Sequence, residues 1–401
     1  MAIGRISARI EQLNESATLA IDATAKSMLA RGIDLISFAA GEPDFETPGF
    51  IVDAALEAAK DPKNHHYTAG AGLPELRELI AQRTGTLSGL AVQSSQVIVT
   101  NGGKHAVYSV MMTLLDEGDE VLIPAPYWVT YPEVVRLAGA TPVAVPTDLS
   151  TAFKVTPELL EEYCSPRTKM LIHVSPSNPT GAVYSEEETA AIAEFADRKG
   201  IYVVSDEIYQ QLTYGMECAP AIGSFASKEL ADRLVLVNGV AKTFAMTGWR
   251  VGWVVAPNDI AKGVVKLQSQ LCSNVANISQ RASIAALAAD VEATRYMRDA
   301  FARRRESIIT LLAAIDGVEV MWPQGAFYAF PSVAAILEKE FDGVAIGSSY
   351  RLAELLLEHA KVAVIPGEAF DAPGYLRLSY ALSDESIVDG IGRIADFVTR
   401  L

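Results

Sequence analysis

From about residue 95 the chain alternates short β-branched runs with longer stretches whose apolar positions recur at helical spacing. The runs QVIVT (96–100), EVLIP (120–124), KMLIHV (169–174), IYVVSD (201–206), RLVLVN (233–238) and VGWVVAP (251–257) are apolar almost throughout. Strands of that kind are buried on both faces, as in a parallel sheet covered by helices on either side. Residues 103–115 and 185–199, lying between runs, predict amphipathic helices that supply the cover. Beyond residue 258 helical spacing dominates, and strand signal returns weakly at GAFYAF (325–330), VAVIPG (362–367) and YLRLSYA (375–381). The pattern predicts an α/β fold: a large domain with a mostly parallel sheet and helices on both faces, plus a smaller α+β domain. The division expected is 1–45 as an N-terminal arm with part of the small domain, 46–290 as the large domain and 291–401 as the small one. No repeat or low-complexity linker marks the boundary near 290, so it is expected to fall inside a long helix.

Composition narrows the function classes. Half of the 401 residues are apolar and a fifth are charged, enough for a real core. The formal net charge of −16 disfavours nucleic acid and anionic membranes, which need a positive field. No apolar run reaches membrane-span length, and MAIGRISARIEQLNES carries charges where a signal peptide needs its apolar stretch, so a cytoplasmic protein is expected. Cys164, Cys218 and Cys272 are far apart without a CxxC pair, which predicts reduced thiols. His65 and His66 have no companions at ligand spacing, and no metal is expected.

Ligands of open α/β sheets gather beyond the carboxyl ends of the strands. After the predicted strands come NGGKHAVY, SPSNPTG, DEIYQ and GVAKTFAMTGWR, so the polar and glycine-rich residues fall at one rim. Gly102 and Gly103 lie between a strand and a helix, where backbone N–H groups face an anion or simply make a turn. Neither GxGxxG nor the full P-loop spacing is present there. Asp206 ends an apolar strand, where a carboxylate is either capped, ion-paired or matched to a ligand cation. Asn178 lies in an Asn-Pro turn, and Trp128 is either core or a rim aromatic able to stack on a planar group. Lys242 stands between two apolar runs with Arg250 close behind. A buried lysine near an acid, a phosphate-type cradle and an arginine suits a Schiff base with pyridoxal phosphate.

The segments SFAAGEPDFETP (37–48), YTAGAGLPELR (67–77), PYWVTYP (126–132), SPSNPTG (175–181), SDEIY (205–209), AKTFAMTGWRVGW (241–253), PQGAFY (323–328) and YLRLSYA (375–381) occur in the order found in class I aminotransferases of the pyridoxal-phosphate fold-type I family. The chain resembles that family over essentially its whole length. The resemblance implies pyridoxal 5'-phosphate as cofactor, with Lys242 as its covalent attachment point and Asp206 on its pyridine nitrogen. Asn178 and Tyr209 are implied at the phenolic oxygen, Trp128 on the ring, and Gly103, Lys104 and Arg250 at the phosphate. Tyr67 is implied to reach the phosphate from the partner of a homodimer, with SNVANISQ (273–280) also contributing from the neighbour. Gly41 and Arg377 are implied at the substrate α-carboxylate, beside Trp128 and Asn178; a guanidinium fork there is not replaceable by lysine. Ala241 departs from the serine that many members carry before the lysine, which shifts phosphate binding onto Lys104 and Arg250.

The implied reaction is transamination between amino acids and 2-oxo acids by ping-pong kinetics, with the freed Lys242 amine moving the Cα proton. NESATLAI (14–21) resembles the segment that folds over the site in the aspartate-using bacterial subgroup. Ser16 and Thr18 there either bind a distal carboxylate or cap a helix. The expected reaction is L-aspartate with 2-oxoglutarate giving oxaloacetate and L-glutamate. Prephenate, aromatic, alanine or broad specificity, a carbon–sulfur lyase on the same scaffold, and a non-catalytic regulator are the alternatives.

Overall fold

A computed structural model describes residues 6–401 of the chain. Seven strands form the main sheet: β1 Val97–Thr100, β2 Glu120–Ala125, β3 Thr141–Pro146, β4 Thr168–Val174, β5 Tyr202–Asp206, β6 Leu234–Gly239 and β7 Gly252–Val255. Their order is β1-β7-β6-β5-β4-β2-β3. β7 runs antiparallel to both its neighbours and the remaining pairs are parallel. Alternate side chains enter opposite layers. Ile98, Val121, Ile172, Val204 and Val254 pack into one core, and Val97, Val99, Leu122, Leu171 and Val203 into the other. Each such side chain contributes about 1.5–3 kcal/mol of hydrophobic burial, which is why both faces must be covered.

The six predicted strands of this sheet all form. β3 escaped prediction because TPVAVP is partly exposed and carries Pro142 and Pro146, which argue against a strand. It is tolerated because β3 is the sheet edge, paired only with β2. The predicted helices appear as Gly103–Leu114 and Glu186–Lys199. The second has a complete capping box between Ser185 and Glu188, acidic residues in its first turn, and Gly200 at φ +68 closing it.

In the C-terminal part, Ile365–Pro366, Leu376–Ser379 and Tyr328–Ala329 make an antiparallel sheet in that order. VAVIPG therefore splits in two. Its first half, Val362–Ala363, pairs in parallel with Ile36–Ser37, tying the N-terminal segment to this lobe. Helices Arg295–Ala313 and Asp384–Val398 pack against each other over a core that includes Phe301, Phe327, Tyr328 and Phe397. Position 290 lies between helices, not within one: Asn277–Ala288 ends, and Asp290 caps a short turn before Arg295 by accepting from the Glu292 N–H. Among the described residues no helix is long and apolar enough to cross a membrane.

Candidate active site

β1, β2, β4, β5 and β6 run in one direction, so the residues that follow them share a rim. A cavity of about 400 Å³ lies there, closed by Tyr328 and Arg377 from the C-terminal lobe and by the N-terminal helix Ala17–Ala30. Ser16, Thr18, Gly41, Gly103, Lys104, Trp128, Asn178, Asp206, Tyr209, Lys242, Arg250 and Arg377 all line it, as does Ala241. Tyr67 does not; it is 90% exposed at the surface.

Asp206 is buried at the end of β5, and burial pushes its carboxyl above the ordinary range. The Tyr131 hydroxyl, donating to Oδ2 at 2.8 Å, and the Ile208 N–H, donating to Oδ1 at 3.1 Å, oppose that shift by stabilising the anion. Lys242 follows β6 and donates from Nζ to the Gly41 carbonyl. Burial lowers its pKa to about 8; Glu42 and Asp206 pull the other way, while Arg377 and Arg250 add to the depression. An amine so placed is readily neutral.

At the start of helix Gly103–Leu114, Gly102 has φ +83, and a Cβ there would lie 2.7 Å from Arg250 Nη2. Glycine thus lets the guanidinium lie against the loop. Arg250 is held by its own donation to the Thr247 carbonyl at 2.9 Å. Lys104 sits 5.2 Å from the Trp128 ring centroid, and burial, with Arg250 adding, lowers its pKa. Trp128 in turn meets Tyr131 edge-on at 5.4 Å.

Arg377 is 2% exposed and joins the two halves of the molecule. Its Nη2 donates to the Ala39 carbonyl at 2.8 Å and its Nη1 to Asn178 Oδ1 at 3.1 Å, with its carbon 4.7 Å from the Tyr328 ring centroid. Its Nε has no hydrogen-bond partner among the described residues. Tyr209 and Tyr328 share a hydroxyl–hydroxyl bond of 2.8 Å. Ser16 is the helix cap, its Oγ accepting from the Leu19 N–H at 3.4 Å, and it also lines the cavity, 2.9 Å from the Thr18 hydroxyl.

Lys26, which also lines the cavity, is paired with Asp22 at 2.8 Å. Lys104, Lys242, Arg250 and Arg377, by contrast, make no ion pair within 4.0 Å among the described residues. In a chain of net charge −16, four cations without carboxylate partners around one cavity describe a receptor for anions. Sequence reasoning assigned no role to Glu42, Tyr131 or Tyr328. All three stand inside segments quoted for the resemblance, but nothing local shows that Tyr131 reaches Asp206 across 75 positions. Residues 273–280 are engaged within their own chain: Asn277 binds the Thr68 hydroxyl and the Asn64 and His66 carbonyls, and Gln280 accepts from the Leu73 N–H. They buttress the loop that presents Tyr67.

Comparison with known proteins agrees with this geometry. An aspartate aminotransferase of Streptomyces avermitilis is 53% identical over 399 residues, covering 99% of this chain and 97% of its own. A probable aspartate/prephenate aminotransferase of Aquifex aeolicus is 44% identical, covering 97% of each. Among solved structures, the aspartate aminotransferase of Thermus thermophilus with maleate superposes with a TM-score of 0.91 at 39% identity, over 98% of this chain and 100% of its own. The Rhizobium meliloti enzyme gives 0.94 at 36%, over 99% and 100%. The family model described as aminotransferase class I and II matches residues 33–394, and the chain belongs to that family.

Proposed function

We propose that the cavity holds pyridoxal 5'-phosphate and catalyses transamination from L-aspartate to 2-oxoglutarate. The observation that carries the reading is a set of four cations that make no ion pair among the described residues and face one cavity with a buried acid, Asp206, in its wall. The residues present fit the cofactor. Lys242 is the attachment point, Asp206 the partner of a protonated pyridine nitrogen, and Asn178 and Tyr209 the partners of the phenolic oxygen. Trp128 offers a face to the ring. Gly103, Lys104 and Arg250 serve the phosphate, and the room that Gly102 leaves for Arg250 supports that assignment. When bound, the cofactor supplies an aldehyde that links to amines and a ring that draws electrons from the Cα–H bond.

The chain's own groups do the rest. Lys242, with its pKa near 8, provides a neutral amine that takes the Cα proton from one carbon and returns it at another. Tyr131 and the Ile208 N–H stabilise the Asp206 anion and oppose the upward push of its burial. Arg377, held in plane by Ala39 and Asn178, takes the substrate α-carboxylate together with Gly41. Ser16 and Thr18 take the distal carboxylate of a dicarboxylic acid, a choice supported by the names of the Streptomyces and Thermus relatives. Tyr67, exposed on its own protomer, reaches the phosphate of the partner in a cytoplasmic homodimer.

The test is a donor panel of aspartate, glutamate, phenylalanine, alanine and methionine against 2-oxoglutarate, with prephenate run beside it as acceptor. Aspartate is expected to lead. Keto acid formed without any acceptor, and no amine transferred, would identify a lyase instead. Borohydride reduction of the cofactor-loaded protein should label the peptide containing Lys242; a label elsewhere refutes the assignment.

A further inference from the structure

We propose that Asn14 and Glu133 form a latch that holds the strap bearing Ser16 and Thr18 across the cavity, and that this latch sets the preference for dicarboxylic acids. The inference rests on the substrate reading above. Asn14 donates twice to one carboxylate: its backbone N–H reaches Glu133 Oε2 at 3.2 Å, and its Nδ2 reaches Oε1 at 3.1 Å. Arg136, one turn along the same helix, donates to that Oε1 at 2.7 Å and fixes the carboxylate in place. Glu133 belongs to helix Thr130–Leu137, which also carries Tyr131, the hydroxyl partner of Asp206. The latch thus ties the strap to an element already fastened at the buried acid.

The strap is a partition. On its outer side lies a second cavity of about 570 Å³, lined by Asn14, Glu15, Tyr127, Glu133, Tyr350 and Asp371. Ser16 and Lys104 border both this space and the inner cavity. From the N-terminal segment, Asn14, Glu15, Ser16 and Ala17 line the outer space and Ser16 and Thr18 the inner one, and the Ser16 cap is a single bond of 3.4 Å. Without the latch, the hydroxyls of Ser16 and Thr18 are no longer fixed relative to Arg377, and the space beyond the strap opens to the inner cavity. A monocarboxylic acid, which needs Arg377 but not the strap, does not sense the change. Asn14 and Glu133 are positioning residues; neither lines the inner cavity.

The experiment compares wild type, Asn14→Ala and Asn14→Asp as cofactor-loaded protein, with 2-oxoglutarate and pyruvate as alternative acceptors. Removing one exposed hydrogen bond to a carboxylate is expected to raise KM for 2-oxoglutarate about fivefold, with kcat and the KM for pyruvate within about twofold. Asn14→Asp, which sets two carboxylates against each other, should raise it further. Equal effects on both acceptors, or no effect on either, overturn the proposal. Hydrogen exchange of segment 14–19 reads the latch without reference to substrate, and both variants should lose protection about fivefold there. Unchanged exchange overturns the latch even where KM rises. A wild-type protein that does not use dicarboxylic acids removes the specificity role while the exchange result still decides the latch.

Discussion

Tyr131→Phe isolates the support beneath the buried acid. The ring is 2% exposed and packs edge-on against Trp128, so phenylalanine keeps the packing and removes one oxygen. That oxygen donates to Asp206 Oδ2 at 2.8 Å, leaving the Ile208 N–H as the other bond that lowers the acid's pKa. A buried hydrogen bond to a charged acceptor contributes about 1.5–3 kcal/mol, which corresponds to roughly 10- to 150-fold in an equilibrium. Asp206 already sits above its ordinary pKa because of burial, so the loss drives it further up and disfavours the anion that a pyridinium needs. Cofactor affinity, measured by absorbance titration, should therefore weaken about tenfold or more, and the acidic limb of kcat/KM should move to higher pH. A double-mutant cycle gives the decisive number. In an Asp206→Asn background, where no charge is being stabilised, Tyr131→Phe should have less than about half that effect. An equal loss in both backgrounds would mean that the hydroxyl acts through packing, and the electrostatic account of Asp206 would be wrong.

Three further outcomes follow from the same geometry. In cofactor-free protein the Lys242 ammonium has a folded pKa of about 8 against 10.5 for an ordinary lysine, so its burial disfavours folding fully below pH 8 and the penalty fades as pH rises to 10.5. Lys242→Met should thus be more stable than wild type near pH 7 by at most about 3 kcal/mol, with the gain vanishing by pH 10.5 in urea titrations; a pH-independent difference contradicts it. Gly102→Ala combines φ +83 with a Cβ 2.7 Å from Arg250, whereas Gly118→Ala has φ +94 and open space. Both bear backbone strain of about 1–3 kcal/mol, but only Gly102→Ala should weaken cofactor binding, roughly tenfold, on absorbance titration. Arg304 pairs with Asp44 at 2.8 and 2.9 Å, linking helix Arg295–Ala313 to the segment that follows Glu42. Arg304→Ala should destabilise by about 3 kcal/mol in denaturant unfolding, and Arg304→Met with Asp44→Asn should recover part of the loss because no partner charge is stranded.

How far the chain could be read depended on whether a residue's meaning was local. β5 and β6 are apolar on both faces and short, so period and composition identify them without any partner. β3 is an edge strand whose prolines are acceptable only because no further strand needs their N–H groups, a fact of sheet order invisible in TPVAVP itself. VAVIPG reads as one strand, yet its halves serve two sheets, because Ile36–Ser37 arrives from the far end of the chain to pair with the first. The site divides in the same way. Lys242 and Asp206 stood out as charges beside apolar runs, and their cost when buried makes them conspicuous in a bare sequence, whereas Arg377 was implied only by the family resemblance. Tyr131 and Glu42 did not, since an aromatic near a proline and an acid in a loop are unremarkable until they are brought against Asp206 and Lys242.

That division has a chemical reason. The groups legible in the sequence are charges that line the cavity, while those that tune them act through contacts made only on folding. Asp206 alone is a buried acid driven toward neutrality; Tyr131 and the Ile208 N–H oppose that drive by stabilising its anion. Lys242 alone is a buried base; Glu42 and Asp206 on one side, and Arg377 and Arg250 on the other, hold it near pH 8, where both of its protonation states are populated. The same hand that tunes the acid also closes the site. Helix Thr130–Leu137 presents Tyr131 inward to Asp206 and Glu133 outward to Asn14, so the electrostatics of the cavity floor and the seating of the strap above it depend on one eight-residue element. A perturbation that shifts this helix as a body, rather than removing either side chain, should disturb proton transfer and acceptor preference together, and the separate Tyr131 and Asn14 variants should each disturb only one.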